Sequence, residues 1–122
     1  MTLDQQFQHL EDTIRAYNPG ADFDHIRASY EFAKKQHGDQ RRKSGEPYIT
    51  HPLAVAEIVA ELELDTDSII AALLHDCIED TGATHEEIAK KFGTSVADLV
   101  EGVTKLTRVQ YVSKEEEQME NL

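Results

Sequence analysis

Residues 69–80 read Ile-Ile-Ala-Ala-Leu-Leu-His-Asp-Cys-Ile-Glu-Asp, an aliphatic run followed at once by ionisable side chains. Ile69, Ile70, Leu73 and Leu74 recur at helical spacing, and Asp65 or Thr66 offers an N-cap just before them. This pattern predicts one buried helix that begins near Thr66 and continues to about Asp80. Its ionisable end needs partners close to the core, because an unpaired buried charge is costly.

The ionisable end of this predicted helix carries His75, Asp76, Glu79 and Asp80. Residues four apart on a helix lie one above the other, so we expect His75 to pair with Glu79 and Asp76 with Asp80. A divalent cation would favour neutral imidazole and ionised carboxylate together. Mixed nitrogen and oxygen ligands suit Mn²⁺, Fe²⁺ or Zn²⁺ better than Mg²⁺ or Ca²⁺.

His51 is the candidate third ligand, because His51-Pro52 opens the preceding long helix. The two helices are joined by a short connection and should pack antiparallel, which would bring His51 towards His75 and Asp76. Taken alone, a His-Asp pair is common by chance, and a histidine before proline is usually a helix-entry residue. The remaining histidines show no comparable partners in the sequence and are predicted to be surface or helix-end residues: His9, His25, His37 and His85.

Helical signals dominate the rest of the 122-residue chain, which is long enough for one domain with one core. Apolar spacing and end signals predict helices that end at residue 17 and that cover residues 22–38, 84–92 and 94–106. Residues 38–50 are predicted to form a loop. We therefore expect residues 1–122 to be a single all-α domain of about five or six helices.

The formal net charge of the chain is −12, from 12 basic and 24 acidic residues. Such a chain is a poor general binder of nucleic acid, whose affinity rests on neutralising phosphates, so no DNA partner is expected. Five of the twelve basic residues nevertheless fall within ten positions: Lys34, Lys35, Arg41, Arg42 and Lys43. This concentration favours a local anion site, although a solvated loop fits the same composition.

The first residues lack the basic start and apolar core of a signal peptide, and the aliphatic run 69–74 is too short to cross a membrane. A cytoplasmic location without membrane attachment is the default expectation. Cys77 is the only cysteine, which excludes an internal disulfide and suits a reducing compartment. We expect its thiol to be a small buried group rather than a nucleophile.

Three blocks of sequence together carry a resemblance to a known family. They are Arg-Lys-Ser-Gly-Glu-Pro-Tyr-Ile-Thr-His-Pro at 42–52, Ala-Leu-Leu-His-Asp-Cys-Ile-Glu-Asp-Thr at 72–81 and Gly-Val-Thr-Lys-Leu at 102–106. In order and spacing they resemble the N-terminal hydrolase domain of the RelA/SpoT homologue proteins, which belong to the HD phosphohydrolase superfamily. The resemblance covers nearly the whole chain.

This resemblance implies hydrolysis of the alarmones guanosine tetraphosphate and pentaphosphate. The 3′-pyrophosphate is removed, which gives GDP or GTP and pyrophosphate, usually with Mn²⁺. Glu79 and Asp80 match the catalytic acidic pair that supports water activation. The matching metal ligands are His51, His75 and Asp76, and the matching nucleotide contacts are Arg42, Lys43 and Ser44. Arg42 could stack on a base or grip a phosphate.

The chain also departs from the family pattern. It contains no Leu-Ala-Asp-Arg-Leu-His-Asn-like segment, which supplies the fourth metal ligand in the family, and no synthetase domain. We therefore expect a truncated domain with little or no activity, whose uncovered apolar surface favours a homo-oligomer. Two alternatives remain open: an HD phosphohydrolase for another nucleotide, such as a nicotinamide dinucleotide phosphate, and a helical module that binds nucleotide or partners without turnover.

Overall fold

The structure is a computed structural model and describes residues 1–103. Within these residues the only β pairing is an isolated bridge between Arg41 and Pro47. Six helices are present: α1 Leu3–Tyr17, α2 Phe23–His37, α3 Thr50–Glu61, α4 Thr66–Leu74, α5 Cys77–Asp80 and α6 His85–Phe92. A further helical stretch covers residues 94–103. The predicted all-α fold is confirmed.

Side-chain caps define where four of these helices begin, and the sequence predicts three of the four caps. The side-chain oxygens of Asp22, Asp65 and Thr84 each accept a hydrogen bond from the backbone N–H three residues further on. Each bond satisfies one of the amides that a helix leaves free at its first turn. At the other end of α2, Gly38 adopts a φ of 54°, a value that favours glycine.

The prediction of one helix from Thr66 to Asp80 is wrong. Helix α4 ends at Leu74, a turn follows at residues 75–76, and α5 begins at Cys77. The His75 ring supplies the physical reason, because its Nδ1 lies 2.7 Å from the carbonyl oxygen of Ala72. A continuous helix would use that carbonyl for the N–H of Asp76. The continuous helix on which the expected pairing of His75 with Glu79 was based is therefore interrupted between these two residues.

Helix α4 lies at the centre of the packing. It contacts both α2 and α3, and α3 also packs on α1. All six residues from Ile69 to Leu74 are buried, which explains why this segment carries aliphatic side chains on every face. His75 and Asp76, which follow Leu74, are only partly buried, so the turn at residues 75–76 lies at the rim of the core.

Large apolar side chains remain exposed along α3 and the stretch 94–103. Three of them, Leu64, Leu99 and Val103, line a groove of about 320 Å³ together with Val55, Val59 and His75. Ile58 and Leu62 are also exposed but lie outside the lining of this groove. Residues 104–106, which belong to the predicted last helix and to the third sequence block, lie outside the described residues. No helix within residues 1–103 is long and apolar enough to span a membrane.

Candidate metal centre and its cationic cavity

Three side chains converge where α3 begins and α4 ends. His51, His75 and Asp76 each offer one ligand atom, and these atoms all lie within 4.8 Å of one another. The Nε2 atoms of His51 and His75 lie 3.4 Å and 3.2 Å from Asp76 Oδ2. The two imidazole rings meet edge to face, with their centroids 5.4 Å apart. The group therefore brings two imidazole nitrogens and one carboxylate oxygen close enough together to hold one metal ion.

The orientation of His75 fits a metal ligand. Its Nδ1 must carry the hydrogen, because the Ala72 carbonyl oxygen 2.7 Å away can only accept. In the neutral ring, Nε2 then directs a lone pair at the carboxylate of Asp76. Two electron-rich atoms at this distance need a cation between them, either a proton or a metal ion. A backbone carbonyl that fixes the second ring nitrogen is a common feature of metal-bound histidines.

His51 is held in an environment that favours its neutral form. Burial lowers the pKa of His51 below its ordinary value, and the nearby His75 and Arg42 lower it further. The carboxylates of Asp76 and Asp80 act in the opposite direction without reversing the shift. Neutral imidazole is the form that binds a metal ion, so this environment favours ligation.

Tyr48 joins the two aspartates of the site. Its hydroxyl lies 2.8 Å from Asp80 Oδ2 and 3.2 Å from Asp76 Oδ2. Burial, followed by the hydrogen bond to Asp80, raises the pKa of Tyr48, so the hydroxyl stays protonated and donates. Glu79 and Asp80 themselves are exposed on the one-turn helix α5. From the sequence, no role in the site is predicted for Tyr48. The signal that indicates one is its place in the block 42–52, three residues before His51.

The basic residues 41–43 lie in a loop whose two ends are fastened together. The backbone N–H of Tyr48 donates to the carbonyl of Gln40 at 2.9 Å. Inside this closure, Arg41 and Pro47 form the isolated bridge, and the N–H of Arg42 donates to the carbonyl of Glu46 at 2.9 Å. Gly45 makes the reversal with a φ of 89°, where a side chain would be strained. We call residues 41–47 the cationic loop.

A cavity of about 610 Å³ lies between the cationic loop and the metal group. The structure brings the three predicted nucleotide contacts together in its wall, and His51 belongs both to this wall and to the metal group. The lining consists of Arg41, Arg42, Lys43, Ser44, Tyr48 and His51. The cavity concentrates positive charge within a chain of net charge −12. Such a local field favours a phosphorylated ligand close to the metal group.

The four remaining histidines lie at helix ends or on the surface, as predicted, but each has a partner in the structure. His37 is 3% exposed and contacts Gln40. His85 lies 2.9 Å from Asp98 Oδ1 and 3.5 Å from Glu101 Oε2, on the outer surface. The partners of His85 lie 13 or more residues away along the chain, whereas Gln40 follows His37 by only three residues. The prediction for Cys77 is confirmed, since its side chain is buried and burial raises the pKa of the thiol to about 12.

Comparisons with known proteins relate the chain to one family. The sequence model of the HD domain family matches residues 29–122. A guanosine-3′,5′-bis(diphosphate) 3′-pyrophosphohydrolase of Aquifex aeolicus is 51% identical over 115 residues, which cover 94% of this chain and 16% of the relative. The bifunctional (p)ppGpp synthase/hydrolase SpoT of Escherichia coli K12 is 50% identical with the same coverage. A GTP pyrophosphokinase of Myxococcus xanthus is 52% identical over 123 residues, covering 98% of this chain and 16% of its own length.

A solved structure supports the same relationship. It is described as a metazoan ortholog of SpoT that hydrolyzes ppGpp, and it superimposes with a TM-score of 0.60 at 34% identity. The match covers 63% of this chain and 46% of that structure. The chain spans 16% of the length of the three relatives named above. The family match extends over most of the chain, and these similarities agree with it: the chain belongs to the HD domain family, and its HD domain is of the RelA/SpoT homologue type.

Proposed function

We propose that this domain hydrolyses guanosine tetraphosphate and pentaphosphate at the 3′ position, giving GDP or GTP and pyrophosphate. One observation carries the proposal: His51 belongs both to the candidate metal group and to the wall of the cationic cavity. A nucleotide bound by its phosphates in the cavity would therefore have a phosphorus atom near the metal group. The names of the Aquifex and Escherichia relatives support this choice of substrate.

His51, His75 and Asp76 would hold one divalent transition metal ion, which we propose to be Mn²⁺. Two imidazole nitrogens and a carboxylate oxygen suit such an ion better than Mg²⁺ or Ca²⁺. When bound, the ion supplies positive charge to the phosphate oxygens and makes a water molecule easier to deprotonate. The carbonyl of Ala72 would keep the His75 ring in its ligating tautomer.

Glu79 and Asp80 would handle the proton of the attacking water. In the overall reaction, the water oxygen bonds to the phosphorus of the 3′-diphosphate, and the bond from that phosphorus to the ribose 3′ oxygen breaks. One proton of the water is transferred to a carboxylate, and the departing 3′ oxygen takes up a proton. A positioned carboxylate is suited to accept that first proton. The hydroxyl of Tyr48, 2.8 Å from Asp80 Oδ2, would keep this carboxylate directed at the site.

Arg42, Lys43 and Ser44 would bind the phosphates of the nucleotide. Arginine can grip two phosphate oxygens at once, lysine adds a point charge, and the serine hydroxyl can donate one hydrogen bond. These cations offset the charge that develops on the phosphate during the reaction. They also reduce the repulsion between a highly charged anion and a chain of net charge −12.

A substrate screen tests the proposal. The full 122-residue chain is incubated with Mn²⁺ and guanosine tetraphosphate, and pyrophosphate and GDP are measured together. We expect equal amounts of the two products, and their loss in His75→Ala but not in the surface variant His9→Ala. Release of inorganic phosphate from a nicotinamide dinucleotide phosphate, with none of the expected products, would favour the other hydrolase. Nucleotide binding without any product would favour a non-catalytic module.

A further inference from the structure

A buried imidazole lies directly behind the site. His37 is the last residue of α2 and is only 3% exposed, and the metal group and the cationic cavity do not include it. Buried polar side chains in folded proteins usually have hydrogen-bond partners that account for them. Two of the partners of His37, Gln40 and Tyr48, also contact Asp80.

The first connection runs through a carboxamide. His37 Nδ1 lies 3.1 Å from Gln40 Oε1, and Gln40 Nε2 donates to the backbone carbonyl of Asp80 at 3.0 Å. Since the amide nitrogen of Gln40 is the donor to Asp80, its oxygen must accept from His37. His37 therefore carries its hydrogen on Nδ1, and its Nε2 is left to face the thiol of Cys77, with Sγ 4.0 Å away.

The second connection runs through an aromatic ring. The rings of His37 and Tyr48 lie with their centroids 4.6 Å apart, at an angle of 32°. The Tyr48 hydroxyl in turn reaches the carboxylate of Asp80. His37 thus supports both halves of Asp80, the backbone through Gln40 and the carboxylate through Tyr48.

Such support is needed because α5 contains only four residues. A single helical turn is not stable on its own, so its orientation depends on the surface against which it packs. That surface is provided by α2, whose last residue is His37. The direction of the Asp80 carboxylate is consequently set by the C-terminal end of α2.

We propose that His37 and Gln40 are positioning residues that hold Asp80 in its working orientation. The effect that we expect on turnover rests on the proposed function, but the hydrogen-bonded chain itself does not. That chain begins at Cys77 and continues through His37 and Gln40 to Asp80.

The hydrogen-bonded chain is tested without measuring turnover. Nitrogen-15 NMR spectra of the metal-free chain report which nitrogen of His37 carries the hydrogen. We expect the Nδ1–H tautomer, and we expect Gln40→Met, which removes the acceptor, to shift the Nδ1 resonance and the backbone amide that follows Asp80. An Nε2–H tautomer in the wild-type chain would overturn the proposal, even if the chain hydrolyses the alarmone.

The effect on turnover is tested with two replacements of His37 that separate its contact with Gln40 from its contact with Tyr48. His37→Phe keeps a ring beside Tyr48 but loses the donor, whereas His37→Asn keeps an N–H near the position of Nδ1 but loses the ring. We expect His37→Phe to lower kcat by roughly tenfold with KM and Mn²⁺ affinity within about twofold of wild type, a loss typical of groups that orient a metal site. His37→Asn should recover most of this loss, and His85→Phe is the matched control.

The opposite order, with His37→Phe more active than His37→Asn, would mean that the ring contact with Tyr48 matters and the hydrogen bond to Gln40 does not, which would overturn the role of Gln40. A double variant gives a second check: His37→Phe with Gln40→Met should be no slower than either single change if both act in one chain. Losses of kcat that multiply in the double variant would overturn the proposed chain.

Thermal unfolding of every variant excludes simple loss of folding. If the wild-type chain releases no pyrophosphate, the proposed function fails, and the NMR measurement still decides the hydrogen-bonded chain.

Discussion

The Nε2 atom of His75 lies 3.2 Å from the Oδ2 atom of Asp76, although the two residues are neighbours in the sequence. Adjacent residues of an α-helix point in different directions and do not meet in this way. The pair can converge because both residues lie in the turn between α4 and α5. The interruption of the helix therefore creates the metal group.

His75→Ala should weaken Mn²⁺ binding at least tenfold, because it removes one of three ligands and the one whose ring is fixed by a backbone carbonyl. Isothermal titration calorimetry with Mn²⁺ measures the change. The control is His25→Ala, whose ring contacts the carbonyl of Phe92 and lies outside the metal group. Equal Mn²⁺ affinities for His75→Ala and the wild-type chain would show that the ion binds elsewhere.

Arg42→Ala should weaken nucleotide binding by about tenfold or more while leaving Mn²⁺ affinity within about twofold. Arg42 lines the cavity but offers no ligand to the metal group, and loss of a charged contact typically costs 1.5–3 kcal/mol, or roughly ten- to a hundredfold. Titration of each variant with nucleotide and with Mn²⁺ separates the effects. Lys90→Ala on α6 removes the same charge at a distance. Parallel losses of both affinities in Arg42→Ala would indicate that the loop has a structural role instead.

The thiol of Cys77 should resist modification in the folded chain. Burial raises its pKa from 9.0 to about 12, so the folded state keeps its proton over a range in which the unfolded state loses it. The resulting contribution to the free energy of unfolding is complete below pH 9 and declines as the pH rises towards 12. A disulfide reagent at pH 8 should react in urea but not in buffer. Rapid reaction of the native chain would contradict the burial of Cys77.

The apolar residues on the outer face of α3 should promote self-association. Ile58 is 58% exposed and Leu62 is 65% exposed, and large exposed apolar patches commonly mark interfaces. The double variant Ile58→Gln with Leu62→Gln should sediment as a monomer at concentrations where the wild-type chain forms larger species. Arg15→Gln, on the surface of α1, provides a comparison. A monomeric wild-type chain over the whole concentration range would remove the basis for this prediction.

The approach of His51 to His75 could be predicted from the sequence, because it follows from two local features. A short connection joins the two helices, and the two histidines lie at the ends that an antiparallel pair brings together. The caps at Asp22, Asp65 and Thr84 are equally local, since each bond spans three residues. Such features are fixed by spacing along one or two segments.

Two kinds of feature could not be predicted. One is a local side-chain bond that competes with the helix: the His75 ring bonds back to Ala72 where α4 ends, although propensity alone favours continuing that helix. The other is contact between distant segments: Tyr48 of the closed loop reaches Asp80, and His37 is buried where α5 packs on α2. The periodicity of the sequence predicts neither the contact of Tyr48 with Asp80 nor the burial of His37. From the sequence alone, His37 is therefore expected to be an ordinary residue at a helix end.

The fastening of the cationic loop between Gln40 and Tyr48 has a consequence for how this domain can change over time. Because the closure fixes both ends, we expect substitutions of Arg42, Lys43 or Ser44 to alter the shape and charge of the cavity wall without displacing His51. Nucleotide preference can then be changed independently of the reaction centre. Replacing these three side chains, with Gly45 and Pro47 kept for the backbone of the loop, is a direct way to redirect the domain to another phosphorylated ligand.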